Sequence, residues 1–389
     1  MPNRSPQAFT QRRPLRIGVD TKNLALFTGG IAAFFRPLLQ TWVVQRPQYH
    51  FVAVGPPCEL PRVDTAANNL QRHTVHWPLG LPRPLRHPFY DNVLFPRAMR
   101  ALRPDFVFTP YHDVRLPRGT PSVMMVHDTC LHDLPDIYPA RIRTYYLHML
   151  RRNLTVAERV LTVSQTSRNN LHARHGLPED RIGVVPNAID PQLITSIGAA
   201  EQAANLRAER GSGPHLFYPG GSEHRKNIRR LAEAIAVLCR EGQSPHLWIT
   251  GQPDPAWLAC LVDLPAEVRG RFHFLGKLDV AALGAQYRAS DAVVYPTLCE
   301  GFGRVALEAM ELGIPIACSD LSVLREVAGD YPSYFDPRNP LDIAASIHMA
   351  CARGPSEPRR YDNYQPHAVS RAFVAEMDAV LARLRLAHD

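Results

Sequence analysis

The chain has 389 residues, 45% hydrophobic and 21% charged, with a formal net charge of +8. That is the composition of a soluble globular protein with a sizeable core, and the length predicts two or three domains of ~150 residues each. No apolar stretch reaches the ~18 residues of a membrane span, and Met1-Pro2-Asn3-Arg4-Ser5-Pro6-Gln7 lacks the apolar segment of a secretory signal, so a cytoplasmic location is expected.

Residues 15–20 read as a buried strand, followed by Gly29-Gly30 and an apolar helix through Ile31, Phe34, Phe35 and Leu38. Strand-like runs recur at 50–54, 105–109, 121–126, 158–163 and 182–185, with helical patterns between several of them. The proline-rich stretch 78–96, with Arg83, Arg86 and Arg97 in or beside it, reads as an irregular loop. A connector is expected over 191–212. A second strand series starts at Leu216-Phe217-Tyr218-Pro219 and continues at 246–250, 272–275, 292–296 and 314–318, with helices at 226–240, 281–288, 303–312 and 341–352. A last amphipathic helix near 367–386 reads as a cap on the second domain. Alternating strands and helices predict βαβ units and parallel sheets, hence an α/β protein of two Rossmann-like domains.

Charge is unevenly placed, with 24 basic against 13 acidic residues in 1–190 and 20 against 23 in 191–389. A basic N-terminal half suits anionic lipid, an acidic polymer or nucleic acid. No nucleic-acid-binding motif is present, so no nucleic-acid partner is expected. Of the 44 basic residues 41 are Arg, a habit that hints at a GC-rich genome and that only Lys22, Lys226 and Lys277 break. The seven cysteines, Cys58, Cys130, Cys239, Cys260, Cys299, Cys318 and Cys351, are scattered and never spaced Cys-x-x-Cys. Neither a disulfide framework nor a zinc ribbon is expected, and most cysteines read as buried small hydrophobes.

The most informative segment is 293–310. An apolar strand ends in a turn with Glu300, Gly301 and Gly303, and a helix then brings Glu308, placing two carboxylates at the C-terminal edge of a parallel sheet. Ionised carboxylates accept hydrogen bonds from sugar and ribose hydroxyls, while glycines and a helix start suit phosphate. The plainer reading is a pair of solvated acids at a helix start. In 217–229, Gly220-Gly221 permits close approach, and Arg225 and Lys226 stand where they could grip a diphosphate, or form an ordinary solvated pair. His127-Asp128 follows the strand 121–126, with similar dipeptides at His112-Asp113 and His132-Asp133. Their spacing gives little support for a metal, and His127 at a strand end can meet a substrate hydroxyl or simply cap the strand. The segment 140–152 interleaves tyrosines with arginines, as a core-facing helix with a basic outer face does.

Tyr218-Pro219-Gly220-Gly221-Ser222-Glu223-His224-Arg225-Lys226-Asn227 and Thr297-Leu298-Cys299-Glu300-Gly301-Phe302-Gly303-Arg304-Val305-Ala306-Leu307-Glu308-Ala309-Met310 resemble the nucleotide-sugar motifs of the family 4 (GT4) retaining glycosyltransferases with the GT-B fold. Fainter likenesses lie at Gly29-Gly30-Ile31, Val126-His127-Asp128, Val163–Ser167, Pro186–Asp190 and Leu324–Val327. The resemblance implies an acceptor-binding domain over 1–200 joined by a crossover helix at 367–389, and a nucleotide-sugar domain over 213–366, facing a central cleft. It further implies Glu308 on the ribose, Glu300 on the donor sugar, and Arg225 and Lys226 on the diphosphate. The backbone of Gly301, Phe302 and Gly303 would lie beside sugar and phosphate, His127 near the reacting carbon, Gly30 under the phosphates, and Leu275, Gly276 and Lys277 at the base.

Many members carry an arginine where this chain has Gly221, which shifts the diphosphate contact to Arg225 and Lys226. The Gly-Gly variant resembles mannosyl- and rhamnosyltransferases of bacterial surface polysaccharides. The resemblance thus implies a metal-independent hexosyltransferase with no cofactor beyond its donor, GDP-mannose being favoured over UDP- or dTDP-sugars. Reaction would be front-face displacement with retention, the charge on the leaving diphosphate being stabilised by Arg225 and Lys226. The acceptor would be a lipid-pyrophosphate-linked or other precursor glycan, with peripheral contact at an anionic inner membrane face. A sugar-nucleotide 2-epimerase of the same fold and a non-catalytic sugar-nucleotide-binding assembly protein are the alternatives.

Overall fold

The computed structural model describes residues 13–26, 30–61, 68–196 and 198–386. Gly29 of the expected Gly29-Gly30 turn lies outside the described residues, as does the Arg83 side chain.

Strands β1 (Arg16–Asp20), β2 (His50–Gly55), β3 (Leu70–Thr74), β4 (Phe106–Thr109), β5 (Ser122–Met125), β6 (Arg159–Thr162) and β7 (Ile182–Val184) build one sheet in the order β3-β2-β1-β4-β5-β6-β7. Strands β8 (His215–Tyr218), β9 (His246–Ile249), β10 (Phe272–Phe274), β11 (Ala292–Tyr295), β12 (Ile316–Ser319) and β13 (Ser333–Phe335) build a second, in the order β10-β9-β8-β11-β12-β13. Every pair in the second sheet is parallel, as are β1–β2, β1–β4, β2–β3 and β4–β5 in the first. Strands covered on both faces need continuous apolar runs, and Phe106-Val107-Phe108 and Ala292-Val293-Val294-Tyr295 supply them. These are two parallel-sheet, Rossmann-like domains of the α/β class.

Three expectations need correction. Leu70–Thr74 and Ser333–Phe335 are strands that alternation did not show, because each is an outermost strand, the first polar and the second only three residues long. The proline-rich stretch is not an irregular loop. It holds a helix Arg83–Phe89, a π-turn Tyr90–Leu94 and a helix Phe95–Leu102, with proline in the first turn of both helices, where its missing N–H costs nothing.

The chain divides into two compact units, one from the described residues of Met1–Met125, Met149–Val160 and Ala372–Asp389, the other from Val126–His148 and Leu161–Arg371. From Ala372 on, the last helix, Pro366–Arg383, therefore belongs to the first unit. There Phe373 meets Trp42 and Phe108 edge-on, and Trp42 packs likewise on Phe51. Asp378 and Glu376 pair with Arg46 and Arg159. Lys22 is also buried in this unit, its Nζ 2.5 Å from Asp91 Oδ1 and 2.5 Å from Asp113 Oδ2. The Asp of His112-Asp113 is thus part of an internal ion cluster.

In the second unit, Leu216, Tyr218, Leu247, Ile249, Ala292, Val294 and Ala317 form a core with apolar residues of the helices Ile228–Arg240 and Pro340–Arg353. Strand order reverses between β8 and β11. The loops leaving these neighbours meet at the carboxyl edge, which is where open α/β sheets bind ligands.

Candidate functional site

Arg225 and Lys226 stand on the loop after β8, and Glu300 on the loop after β11. The first loop closes with a 3-10 turn, His224–Lys226, and Asn227 in the left-handed region at φ 59°. Asn227 Nδ2 donates to the carbonyls of Pro296 and Pro337, at 3.0 and 2.6 Å, and Leu298 N donates to Arg225 O at 2.7 Å. The two loops are stitched together through their backbones, so their side chains converge.

Glu300 is the centre of that convergence. Its Oε1 accepts from Arg225 Nη1 at 2.7 Å, Lys226 Nζ at 2.8 Å and Thr297 Oγ1 at 3.0 Å. The three charged side chains are 11%, 20% and 12% exposed for Glu300, Arg225 and Lys226. Burial alone would raise the Glu300 pKa, yet the charges of Lys226 and Arg225 and the hydrogen bonds from Lys226 and Tyr295 bring it down to about 2. Lys226 Nζ also lies 5.0 Å from the centre of the Tyr295 ring. Arg225 reaches Glu223 as well, at 2.9 Å. Nearby Tyr138 is pushed up to about 12, chiefly by burial, with Arg225 opposing the rise and Asp128, Glu223 and Glu300 adding to it. The site is a buried anion held by two cations, a fixed arrangement of charge able to meet a polar, anionic ligand.

Glu308 belongs to the helix Arg304–Glu311 that follows. Buried Tyr287 donates its hydroxyl to Glu308 Oε2 at 2.6 Å, and Arg304 donates to Oε1 at 3.2 Å. Gly303 caps this helix at φ 104°, a conformation that favours glycine. Gly301 has a different constraint. A Cβ there would lie 1.7 Å from the His127 carbonyl oxygen, so its backbone rests directly on the segment after β5. The Gly301 carbonyl accepts from Ser164 Oγ at 2.7 Å and Ser167 Oγ at 3.1 Å. Gly301, Phe302 and Gly303 are all buried.

The other sequence candidates are distributed. His127 is half-buried beside Gly301. Gly221 is exposed with open space around it. Half-buried Leu275 and buried Gly276 follow β10, Gly276 being bridged to Gly251, while Lys277 is exposed. Gly30 opens the helix Gly30–Gln45 of the first unit. Two of the fainter motif likenesses meet each other. The Glu326 carboxylate accepts from Gln165 N at 2.6 Å, Thr166 N at 2.8 Å and Thr166 Oγ1 at 2.6 Å, capping the helix Gln165–His175 from outside.

Sequence reasoning missed Thr297, Tyr295, Tyr287 and Tyr138, which read as core or loop residues until the fold brings them to the carboxylates. It also treated all cysteines as unpaired. Cys130 and Cys299 form a disulfide across 169 residues of sequence, a pairing that scattered spacing could not disclose. Of the remaining cysteines only Cys318 is buried. Asp133 of His132-Asp133 is engaged by Arg174 and Thr129. Among the described residues, no group of three or more His, Cys, Asp or Glu is placed to hold a metal ion, and no helix is long and apolar enough to cross a membrane.

Two family models match the chain in succession, "Glycosyltransferase Family 4" over residues 28–193 and "Glycosyl transferases group 1" over 204–367. The chain is 29% identical over 288 residues to O-antigen chain mannosyltransferase B of Escherichia coli, covering 69% of this chain and 75% of that protein. It is 26% identical over 259 residues to O-antigen chain mannosyltransferase RfbU of Salmonella typhimurium, covering 66% and 68%. Among solved structures, sucrose-phosphate synthase from Thermosynechococcus elongatus superposes with a TM-score of 0.68 at 19% identity, over 95% of this chain and 97% of that one. WaaG, a glycosyltransferase involved in lipopolysaccharide biosynthesis, superposes with a TM-score of 0.67 at 14% identity, over 93% and 95%. The strand orders, the paired loops at the second switch point and these matches agree: the chain belongs to the family 4 glycosyltransferases of the GT-B fold.

Proposed function

We propose that this glycosyltransferase moves a hexosyl group, mannosyl from GDP-mannose in the favoured case, to a lipid-linked or other polysaccharide-precursor glycan, with retention and without a metal. The observation that carries the reading is Glu300 held between Arg225 and Lys226 at the switch point of the second sheet, with Glu308 on the next helix. In this reading Glu300 accepts donor-sugar hydroxyls, and Glu308, oriented by Tyr287, accepts the ribose hydroxyls. Arg225 and Lys226 turn toward the diphosphate and stabilise the charge that grows on it as the glycosidic bond breaks. His127 lies on the sugar side, and Gly221, Leu275, Gly276 and Lys277 line the nucleotide. The names of the O-antigen mannosyltransferase relatives support mannose as the sugar. The basic N-terminal half supports an acceptor presented at an anionic membrane surface.

The test is a panel of GDP-, UDP- and dTDP-sugars, screened for thermal stabilisation and then for transfer to lipid extracts, since a ligand that binds only the folded state raises its stability. Stabilisation by GDP-mannose with transfer of mannose supports the reading. Release of free epimerised sugar without an acceptor would replace it with 2-epimerisation, and binding without any turnover would make the protein a carrier subunit. Replacing Arg86 and Arg97 together by Gln tests the membrane surface: unchanged binding to anionic liposomes would remove that part of the proposal.

A further inference from the structure

Cys130 stands three residues beyond His127 and Cys299 immediately precedes Glu300, so the Cys130–Cys299 bond joins the two segments that carry these side chains. Those segments are in direct contact. The Gly301 backbone rests on the His127 carbonyl, where even a Cβ would meet oxygen at 1.7 Å. The Gly301 carbonyl is taken by Ser164 and Ser167, and Oε1 of Glu300 by Arg225, Lys226 and Thr297. A ligand that touches His127 on one side and the backbone of residues 301–303 on the other needs room for hydrogen bonds of about 3 Å on each side. A disulfide holds its two Cα atoms within about 6.8 Å. They are 5.7 Å apart here, which leaves far less movement than an inserted phosphate or hydroxyl requires.

We propose that Cys130 and Cys299 form a thiol–disulfide switch on donor access. Bonded, they clamp residues 297–303 onto the segment after β5 and keep the nucleotide sugar out; reduced, they release the loop and admit it. The inference rests on the donor-site reading given above. The chemistry is thiol–disulfide exchange with a dithiol reductant. A thiolate of the reductant attacks Cys299 Sγ, the more accessible sulfur at 8% residue exposure against 1% for Cys130. The Cys130–Cys299 bond breaks, Cys130 leaves as a thiolate and takes a proton, and the second thiol of the reductant then displaces Cys299. In sum the protein gains two electrons and two protons as two thiols, and the dithiol becomes a disulfide. Re-oxidation runs the same exchange backward from a low-molecular-weight disulfide. In reducing compartments bonds of this kind are transient and serve sensing or catalysis.

The experiment uses the full chain oxidised with glutathione disulfide, the same chain reduced with dithiothreitol, and the variants Cys130→Ser and Cys130→Ala. Amide hydrogen exchange over residues 297–303 is read by mass spectrometry, and stabilisation by GDP and by UDP is read from thermal unfolding. Reduction should raise exchange in that segment about tenfold or more, and nucleotide stabilisation should appear only in the reduced chain. Both variants should behave as reduced under either condition. Equal exchange in the two forms, measurable nucleotide binding that is equal in the two forms, or full alkylation of both thiols after oxidation would each overturn the proposal. A switch in exchange with neither GDP nor UDP bound by any form leaves the clamp supported and removes the donor-site reading instead.

Discussion

Arg225 and Glu300 meet at 2.7 Å across 75 positions of sequence, and Lys226 joins the same carboxylate oxygen at 2.8 Å. The contact follows from β8 and β11 being neighbours whose outgoing loops are hydrogen-bonded to each other through Leu298 N and Arg225 O. It also means that the two cations proposed for the diphosphate and the anion proposed for the sugar form one unit, so a change to any member disturbs the others.

Glu300→Gln keeps the shape but removes the charge and turns one acceptor oxygen into an N–H donor. Losing charge assistance in these hydrogen bonds should cost about 2 kcal/mol of stability, leaving a folded protein by circular dichroism. Transfer should fall by about 100-fold or more, the scale of losing a positioned electrostatic group. A variant with wild-type turnover would show that Glu300 serves only the loop.

Tyr287→Phe removes the hydroxyl that donates to Glu308 Oε2 at 2.6 Å in a buried setting. Without that donor the carboxylate is less well oriented, and nucleoside diphosphate affinity should weaken about tenfold, equivalent to about 1.4 kcal/mol. Isothermal titration with GDP checks this. The expected pattern is a raised KM with kcat little changed, because the role proposed for Glu308 is to hold the nucleoside rather than the reacting carbon.

Gly220 and Gly221 should respond in opposite ways. A Cβ at Gly220 would fall 2.4 Å from the Tyr218 ring, whose hydroxyl is fixed on Gly221 O at 2.8 Å, whereas a Cβ at Gly221 meets nothing within 4 Å. Gly220→Ala should lower stability by about 1–3 kcal/mol, as overpacking does. Gly221→Arg should unfold at the wild-type temperature and bind nucleoside diphosphate more tightly, with the gain shrinking at high salt. Paired thermal unfolding and titration at two salt concentrations read both effects.

Lys22→Met should strongly destabilise the first unit. Lys22 is fully buried between Asp91 and Asp113, and removing one partner of such a cluster costs about 3–5 kcal/mol. The midpoint of urea unfolding measures it, and a loss under 1 kcal/mol would mean that the carboxyls simply take up protons instead.

His246 predicts an acid-side loss of stability. It stacks between His215 and His273, and burial, with Arg271, His273 and other nearby cations, lowers its pKa from the ordinary 6.5 to about 4. A depressed histidine pKa means that the unfolded chain binds the proton first. Stability from this group is therefore complete above pH 6.5 and is lost as pH falls toward about 4. His246→Asn should flatten the thermal midpoint across that window, and an unchanged slope would exclude His246 as its source.

The α/β class, the positions of most strands along the chain and the two motif-bearing loops were legible in the residues. Strands buried on both faces must be continuously apolar, and a glycine-rich turn ahead of a helix announces itself locally. Glu300, Glu308, Arg225 and Lys226 stood out for the same local reason. The outer strands Leu70–Thr74 and Ser333–Phe335 did not, since an edge strand need not be apolar and three residues carry no period. The helices within 78–96 were hidden because proline marks both a loop and a helix's first turn.

Partnership was decided by the fold. That Tyr287 serves Glu308, that Arg225 and Lys226 share one oxygen of Glu300, that Glu326 caps the helix after Ser164, and that Cys130 bonds Cys299 all depend on which segments the fold brings together. Such contacts span tens to more than a hundred residues of sequence. Their energies are short-ranged, so only the packed chain determines which side chains come close enough to interact.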